Sequence, residues 1–182
     1  MTDFFPENDI SNNIVTFRIQ RDIIDGLSQG LKYKSDKNVE PIINQILRSY
    51  VVWYNPASQG GNIPFSKWLI SRIFNNLSDE QMDIIAQEFV EYDVKGQMYM
   101  SGRQYNMASI LNFTCDWCEA FGLPYRHDMD NGNDVYVFRF DLGQNWPVFY
   151  AKFIRKIAEH LGEEEKLDVG IISKTLIVKM QR

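Results

Sequence analysis

Ile14-Val-Thr-Phe-Arg-Ile-Gln-Arg-Asp-Ile-Ile-Asp-Gly-Leu-Ser-Gln-Gly-Leu-Lys-Tyr33 runs through a polar turn, Lys34-Ser-Asp-Lys37, into Asn38-Val-Glu-Pro-Ile-Ile-Asn-Gln-Ile-Leu-Arg-Ser-Tyr-Val-Val-Trp-Tyr54. Val15, Phe17 and Ile19 alternate with Ile14, Thr16 and Arg18, which predicts a short strand with one apolar face. Ile23, Ile24, Leu27 and Leu31 then fall on one face of a helix. Val39, Ile42, Ile43, Ile46, Leu47, Tyr50 and Val51 repeat that period in a second helix. Asn38 suits its N-cap, and Pro41 sits in a first turn that has no intrahelical donors to lose.

One strand and two short helices cannot bury their own apolar faces, and a lone strand leaves two rows of backbone groups unpaired. A dimer solves both problems. Two strands pair into an antiparallel ribbon over four helices, with Val15, Phe17, Ile19, Ile23, Leu27, Ile42, Ile43, Ile46, Leu47 and Tyr50 as the dimer core. The ribbon's outer face then carries Ile14, Thr16 and Arg18 twice, and a two-stranded ribbon fits the DNA major groove.

The stretch resembles the ribbon-helix-helix family of DNA-binding proteins, the MetJ/Arc/CopG group. The resemblance lies in the Val-Thr-Phe-Arg-Ile strand, the Arg-Asp-Ile-Ile-Asp-Gly-Leu opening of the first helix and the Ile-Ile-Asn-Gln-Ile-Leu-Arg-Ser-Tyr-Val body of the second. It departs from the family where a glycine is common in the inter-helix turn; here Asp36 or Asn38 takes that place. Gly26 and Gly30 inside the first helix each cost about 1 kcal/mol relative to Ala. The resemblance implies a homodimer that binds double-stranded DNA. Base contacts would come from Ile14, Thr16 and Arg18, since Arg pairs bidentately with guanine and Thr packs on a thymine methyl. Phosphate contacts would come from Lys37 and from the helix-opening amides of Asn38 and Val39. It also implies a second domain for effector sensing, oligomerisation or partner binding, with a small molecule or protein as effector. Nickel-sensing members use a histidine-rich domain, which His127 and His160 alone do not make.

The remaining chain supports such a division. Residues 1–13 read as a flexible arm. Residues 55–63 are uncharged and rich in breakers, and read as a linker. Residues 64–182 read as an α+β domain of three helices, a hairpin, a helix and a second hairpin. A helix starts at Pro64. The next has Ser78 and Gln81 as a capping box. A Gly-containing stretch, Val94–Gly102, precedes a third helix near Tyr105–Phe121. Asn131-Gly132 turns a hairpin between Tyr125–Met129 and Val135–Asp141, Asn145 caps a helix that Gly162 stops, and Val169–Ile172 and Thr175–Lys179 close the chain.

Net charge is −5 over 182 residues, yet residues 12–54 hold six Lys/Arg against four Asp/Glu. No apolar run is long enough to span a membrane, the first residues lack a signal-peptide layout, and a cytoplasmic location is the simplest reading. Cys115-Asp-Trp-Cys118 falls mid-helix and reads as a pair of buried thiols rather than a metal or redox site. Asp128–Asp134 has its glycine and its twelfth residue wrong for an EF-hand and reads as a turn. No cofactor is expected, and no constellation for an enzyme is found. The sequence therefore points to a DNA-binding transcriptional regulator, or else to an antitoxin-like interaction module that dimerises through the same segment without reading DNA.

Overall fold

The computed structural model describes residues 18–30, 40–59 and 65–181. The chain divides into two compact units, Met1–Gln45 and Ile46–Arg182. In the first, α1 (Arg21–Gly30) and the opening of α2 (Glu40–Ser49) lie where the helical periods put them. Ile14, Val15, Thr16 and Phe17 of the expected strand lie outside the described residues, as do Lys37, Asn38 and Val39. Arg18, Ile19 and Gln20 lead into α1 without strand pairing. The mixed α+β class is observed; most of the strand expected to form the ribbon lies outside the described residues.

In the second unit, α2 continues through a π-helical turn, Tyr50–Tyr54, into α3 (Asn55–Gln59). The linker expected over 55–63 is therefore helical in its first five residues. The widened turn already sets the ladder to i→i−5, as in Asn55 N–H to the Tyr50 carbonyl. Pro56, which has no N–H, follows where that ladder is already displaced. Ser66 caps α4 (Lys67–Asn75), its Oγ accepting from the Leu69 amide at 3.2 Å. The capping box of α5 (Asp79–Phe89) forms as expected: Ser78 Oγ accepts from the Gln81 amide at 3.1 Å, and Gln81 Oε1 accepts from the Ser78 amide at 2.8 Å. A second π-helical turn, Val90–Val94, carries α5 into α6 (Lys95–Met100). The Gly-containing stretch 94–102 is thus helical as far as Met100. Gly96 is tolerated on an exposed position, and the chain leaves the helix at Gly102, φ +67°.

Asn106 Oδ1 accepts from the Ser109 amide at 2.8 Å and opens α7 (Met107–Ala120). β1 (Tyr125–Asp130) and β2 (Asn133–Arg139) form the expected hairpin, with Asn131 at φ +51° and Gly132 at φ +82°, the signs a type I′ turn requires. α8 (Asn145–Leu161) ends on Gly162 at φ +66°. β3 (Leu167–Ile172) and β4 (Thr175–Met180) complete an antiparallel sheet of order β1-β2-β4-β3. Register pairs Tyr136 with Val178 and Phe138 with Leu176. These residues are buried on the inner face, against a core that includes Phe149, Phe153, Ile154 and Ile157 of α8. α8 packs against β3, β4, α4 and α5. Lys152 reaches Asp79 at 3.0 Å and Lys156 reaches Asp83 at 3.2 Å, tying α8 to α5.

The cap of α8 differs from expectation. Asn145 is its first residue, and no side chain of the preceding Gln144 caps it. The acceptor comes from α4: Asn75 Oδ1 takes the amides of Gln144 at 3.1 Å and Asn145 at 3.3 Å. Asn145 Nδ2 donates back to the Phe74 carbonyl at 3.1 Å. The end of α4 is thus pinned to the start of α8. Gly143 permits this approach. Its φ is +97°, and a Cβ there would stand 2.7 Å from Asn75 Oδ1 and 2.8 Å from Ser71 Oγ. Gly143→Ala should therefore destabilise the fold by about 1–3 kcal/mol. Gly96→Ala, whose Cβ meets nothing within 4 Å in a helix, should stabilise it by about 0.4–1 kcal/mol. Urea unfolding of both variants checks the pair, and equal midpoints would contradict the close-approach argument.

Candidate functional site

Within Ile46–Arg182, helix faces converge on a cavity of about 670 Å³. α7 presents Ile110, Phe113, Thr114 and Trp117, with Phe121 just beyond, at helical spacing. α8 presents Trp146, Phe149, Tyr150 and Phe153 at i, i+3, i+4 and i+7. α4 adds Lys67, Ile70 and Phe74, α5 adds Ile85 and Phe89, and the turn and helix after it add Val94, Gln97 and Met98. Trp53, Tyr54 and Ser58 come from the first π-helical turn and α3; Phe65, Leu123 and Leu142 come from loops. Tyr54, Ser58, Phe65 and Lys67 are exposed, so the cavity opens on their side.

The wall is a connected set of rings. Phe74 meets Trp146 at 4.5 Å edge-on and Phe149 at 4.7 Å. Trp117 lies parallel to Tyr150 at 6.3 Å, and Trp53 meets Phe113 at 4.8 Å. Such edge-on and offset contacts favour ring packing and fix each side chain by its neighbours. The polar groups in the wall are few. Thr114 Oγ1 lies 2.9 Å from the Ile110 carbonyl, which only accepts, so the threonine hydroxyl donates there. At its 2.8 Å contact with Tyr150 the phenol must then be the donor, which leaves the phenolic oxygen as an acceptor. Trp146 Nε1–H is buried without a partner. Burial holds the Tyr150 phenol well above its ordinary pKa. Lys67 is the one charged side chain among the described lining residues.

The residues singled out from the sequence lie elsewhere. Arg18 is exposed and Ile19 half-buried before α1; Ile23 is exposed and Leu27 half-buried on α1. On α2, Ile42 and Ile43 are half-buried, while Ile46 and Leu47 are exposed, as is Tyr50 in the turn beyond. None of these lines the cavity. Cys115 and Cys118 are buried free thiols within α7. Burial and the neighbouring Asp116 push Cys115 up to about 12; burial pushes Cys118 higher still. Among the described residues no three His, Cys, Asp or Glu gather as a metal set. His127 Nε2 lies 2.8 Å from Asp134 Oδ1 and its ring stacks on Tyr136 at 4.0 Å. His160 meets Tyr105 edge-on at 5.9 Å. Among the described residues no helix is long and apolar enough to cross a membrane. No family model matches the chain, and no curated protein or solved structure is significantly similar to it.

Sequence reasoning missed the cavity. The available signal was the high aromatic content, 14%, spread over helices that read as ordinary core.

Two outcomes follow from the buried groups. Both thiols should stay silent to a thiol reagent at neutral pH while the protein is folded, and both should react in denaturant. Tyr150 keeps its proton in the folded state, whereas an unfolded tyrosine ionises near pH 10. Unfolding then releases a proton, so the Tyr150 contribution to stability holds below about pH 10 and falls as pH rises above it, on top of an earlier fall, from about pH 9, that the two buried thiols contribute. Urea midpoints followed from pH 8 to 11 should show that fall, and Tyr150→Phe should make it shallower. A native thiol that reacts at the rate of a free peptide would overturn the burial assignment.

Proposed function

We propose that this chain is a ligand-responsive, DNA-binding regulator whose Ile46–Arg182 unit holds a small apolar molecule. The carrying observation is the aromatic cavity. Its size falls in the range of about 300–1,000 Å³ typical of small-molecule sites, with an apolar wall and a few placed polar groups. Binding rather than catalysis is favoured because the described wall contains no His, Asp, Glu or Cys. Three of the four tryptophans line the space, so the protein carries its own probe. Titration with the neutral fluorophore N-phenyl-1-naphthylamine should give saturable one-to-one binding with a change in tryptophan emission. Unsaturable partition with unchanged emission would sink this reading.

For the N-terminal segment, the proposal is a homodimer that reads DNA through Ile14, Thr16 and Arg18. It rests on the strand-helix-helix pattern and on the two helices found at the expected places. No described residue of α2 is buried, and Ile46, Leu47 and Tyr50 stay about half exposed, an apolar face that a second copy would cover. The antitoxin-like interaction module remains the second reading, favoured by the small positive excess of residues 12–54. Arg18→Ala should cost about 1–3 kcal/mol on a specific duplex and much less on random DNA. Lys37→Ala should weaken both equally and flatten the salt slope by about one unit per subunit. An unchanged specific-to-random ratio in Arg18→Ala would favour the interaction module.

A further inference from the structure

We infer that the cavity takes an amphipathic anion: an extended apolar body seated among the rings with its carboxylate, or a like anionic head, at Lys67. This rests on the reading of the cavity as a small-molecule site and names the class of molecule. The cavity's charge is all at one end. Lys67 is exposed at the mouth beside Phe65, and no described residue forms an ion pair with it. Everything the wall contributes farther along α4 is apolar. Ile70 and Phe74 follow Lys67 on the same face, and Phe74 lies about 10 Å along the axis from it. There Phe74 joins Trp146 and Phe149, which extend the apolar wall into α8. A ligand entering from the mouth therefore buries its body along a path without a charge and leaves its head in water beside one ammonium group.

The sign of the head follows from the same inventory. A cationic head would want a carboxylate, and none lines the described wall. Aromatic faces attract cations, but here the charged residue among them repels one. A neutral head would take at most a hydrogen bond from Lys67, without the charge–charge attraction. Lys67 is also the first residue of α4, so the positive end of that helix adds to the ammonium rather than opposing it. Because the head stays wet, the gain is that of an exposed ion pair: a few-fold in affinity, sensitive to salt.

The test uses the full chain and three probes of matched body, each below its micelle concentration or solubility limit: decanoate, 1-decanol and decyltrimethylammonium. Binding is read by tryptophan emission and by calorimetry. Decanoate should bind about three- to fivefold tighter than 1-decanol at low salt, and the advantage should shrink at high salt. Decyltrimethylammonium should bind weakest. Lys67→Gln, at an exposed position, should erase the difference between acid and alcohol. If 1-decanol matches decanoate on the unaltered protein, the anionic head is wrong while the apolar site stands. If decyltrimethylammonium binds tightest, the rings act as a cation cage and the inference fails. If none of the probes binds, both this inference and the small-molecule reading fall.

Discussion

Every layer of the Ile46–Arg182 unit leans on α8, and the pin between Asn75 and the first turn of α8 decides where the helices around the cavity stand. One side-chain oxygen accepts the amides of Gln144 and Asn145, and one side-chain amide returns to the Phe74 carbonyl. Those two amides open a helix whose own sequence offers them no side-chain cap. With the pin in place, Phe74 sits against Trp146 and Phe149, and α4 becomes a wall of the cavity rather than a loose neighbour. Gly143 matters because any Cβ would stand where Asn75 has to be.

Size decides how the cavity must be understood. A sealed, dry space of 670 Å³ would cost about 16 kcal/mol at ~24 cal/mol per Å³, more than the whole stability of a typical domain. Cores tolerate few voids larger than a water molecule. A space this large is compatible with folding because it opens past Tyr54, Ser58, Phe65 and Lys67. Its walls survive because rings hold rings: Trp117, Phe140, Trp146 and Tyr150 all contact one another. Collapse would have to break several of those contacts at once.

The sequence made local chemistry legible and non-local chemistry obscure. Ser78 with Gln81, Asn131-Gly132 and Gly162 each specify a cap or turn within a few residues, and each stands where expected. The stripes of α7 and α8 were legible as well. The α8 cap was not, because its acceptor, Asn75, is seventy residues away from Asn145. Helix α3 was hidden by Pro56 and the breakers around it, and α6 by Gly96 and Gly102, residues that lower helix propensity without forbidding helix. The cavity was illegible for a deeper reason. Period tells which face of a helix is apolar, not whether that face meets another side chain or an open space. Tyr150 and Trp117 read as core in either case.

The second π-helical turn shows how one residue shapes the site. From Ile85 and Phe89, an unbroken α-helical period would bring Tyr92 or Asp93, and then Gly96, to the cavity. The turn over Val90–Val94 inserts a residue, and the wall continues instead with Val94, Gln97 and Met98. Val94 and Met98 are buried, whereas Tyr92 points away with 82% of its surface exposed. Asp93 is left half-buried to the side, accepting a hydrogen bond from Gln97 Nε2, and burial still raises its pKa. In the wall itself that carboxylate would face an apolar body with no partner of opposite charge, and it would repel an anion arriving at Lys67. The inserted residue thus keeps a carboxylate out of the wall and leaves its only described charge positive. π-helical turns are often found at functional sites. Here the shift in register puts Val94, Gln97 and Met98 in the wall in place of Asp93 and Gly96.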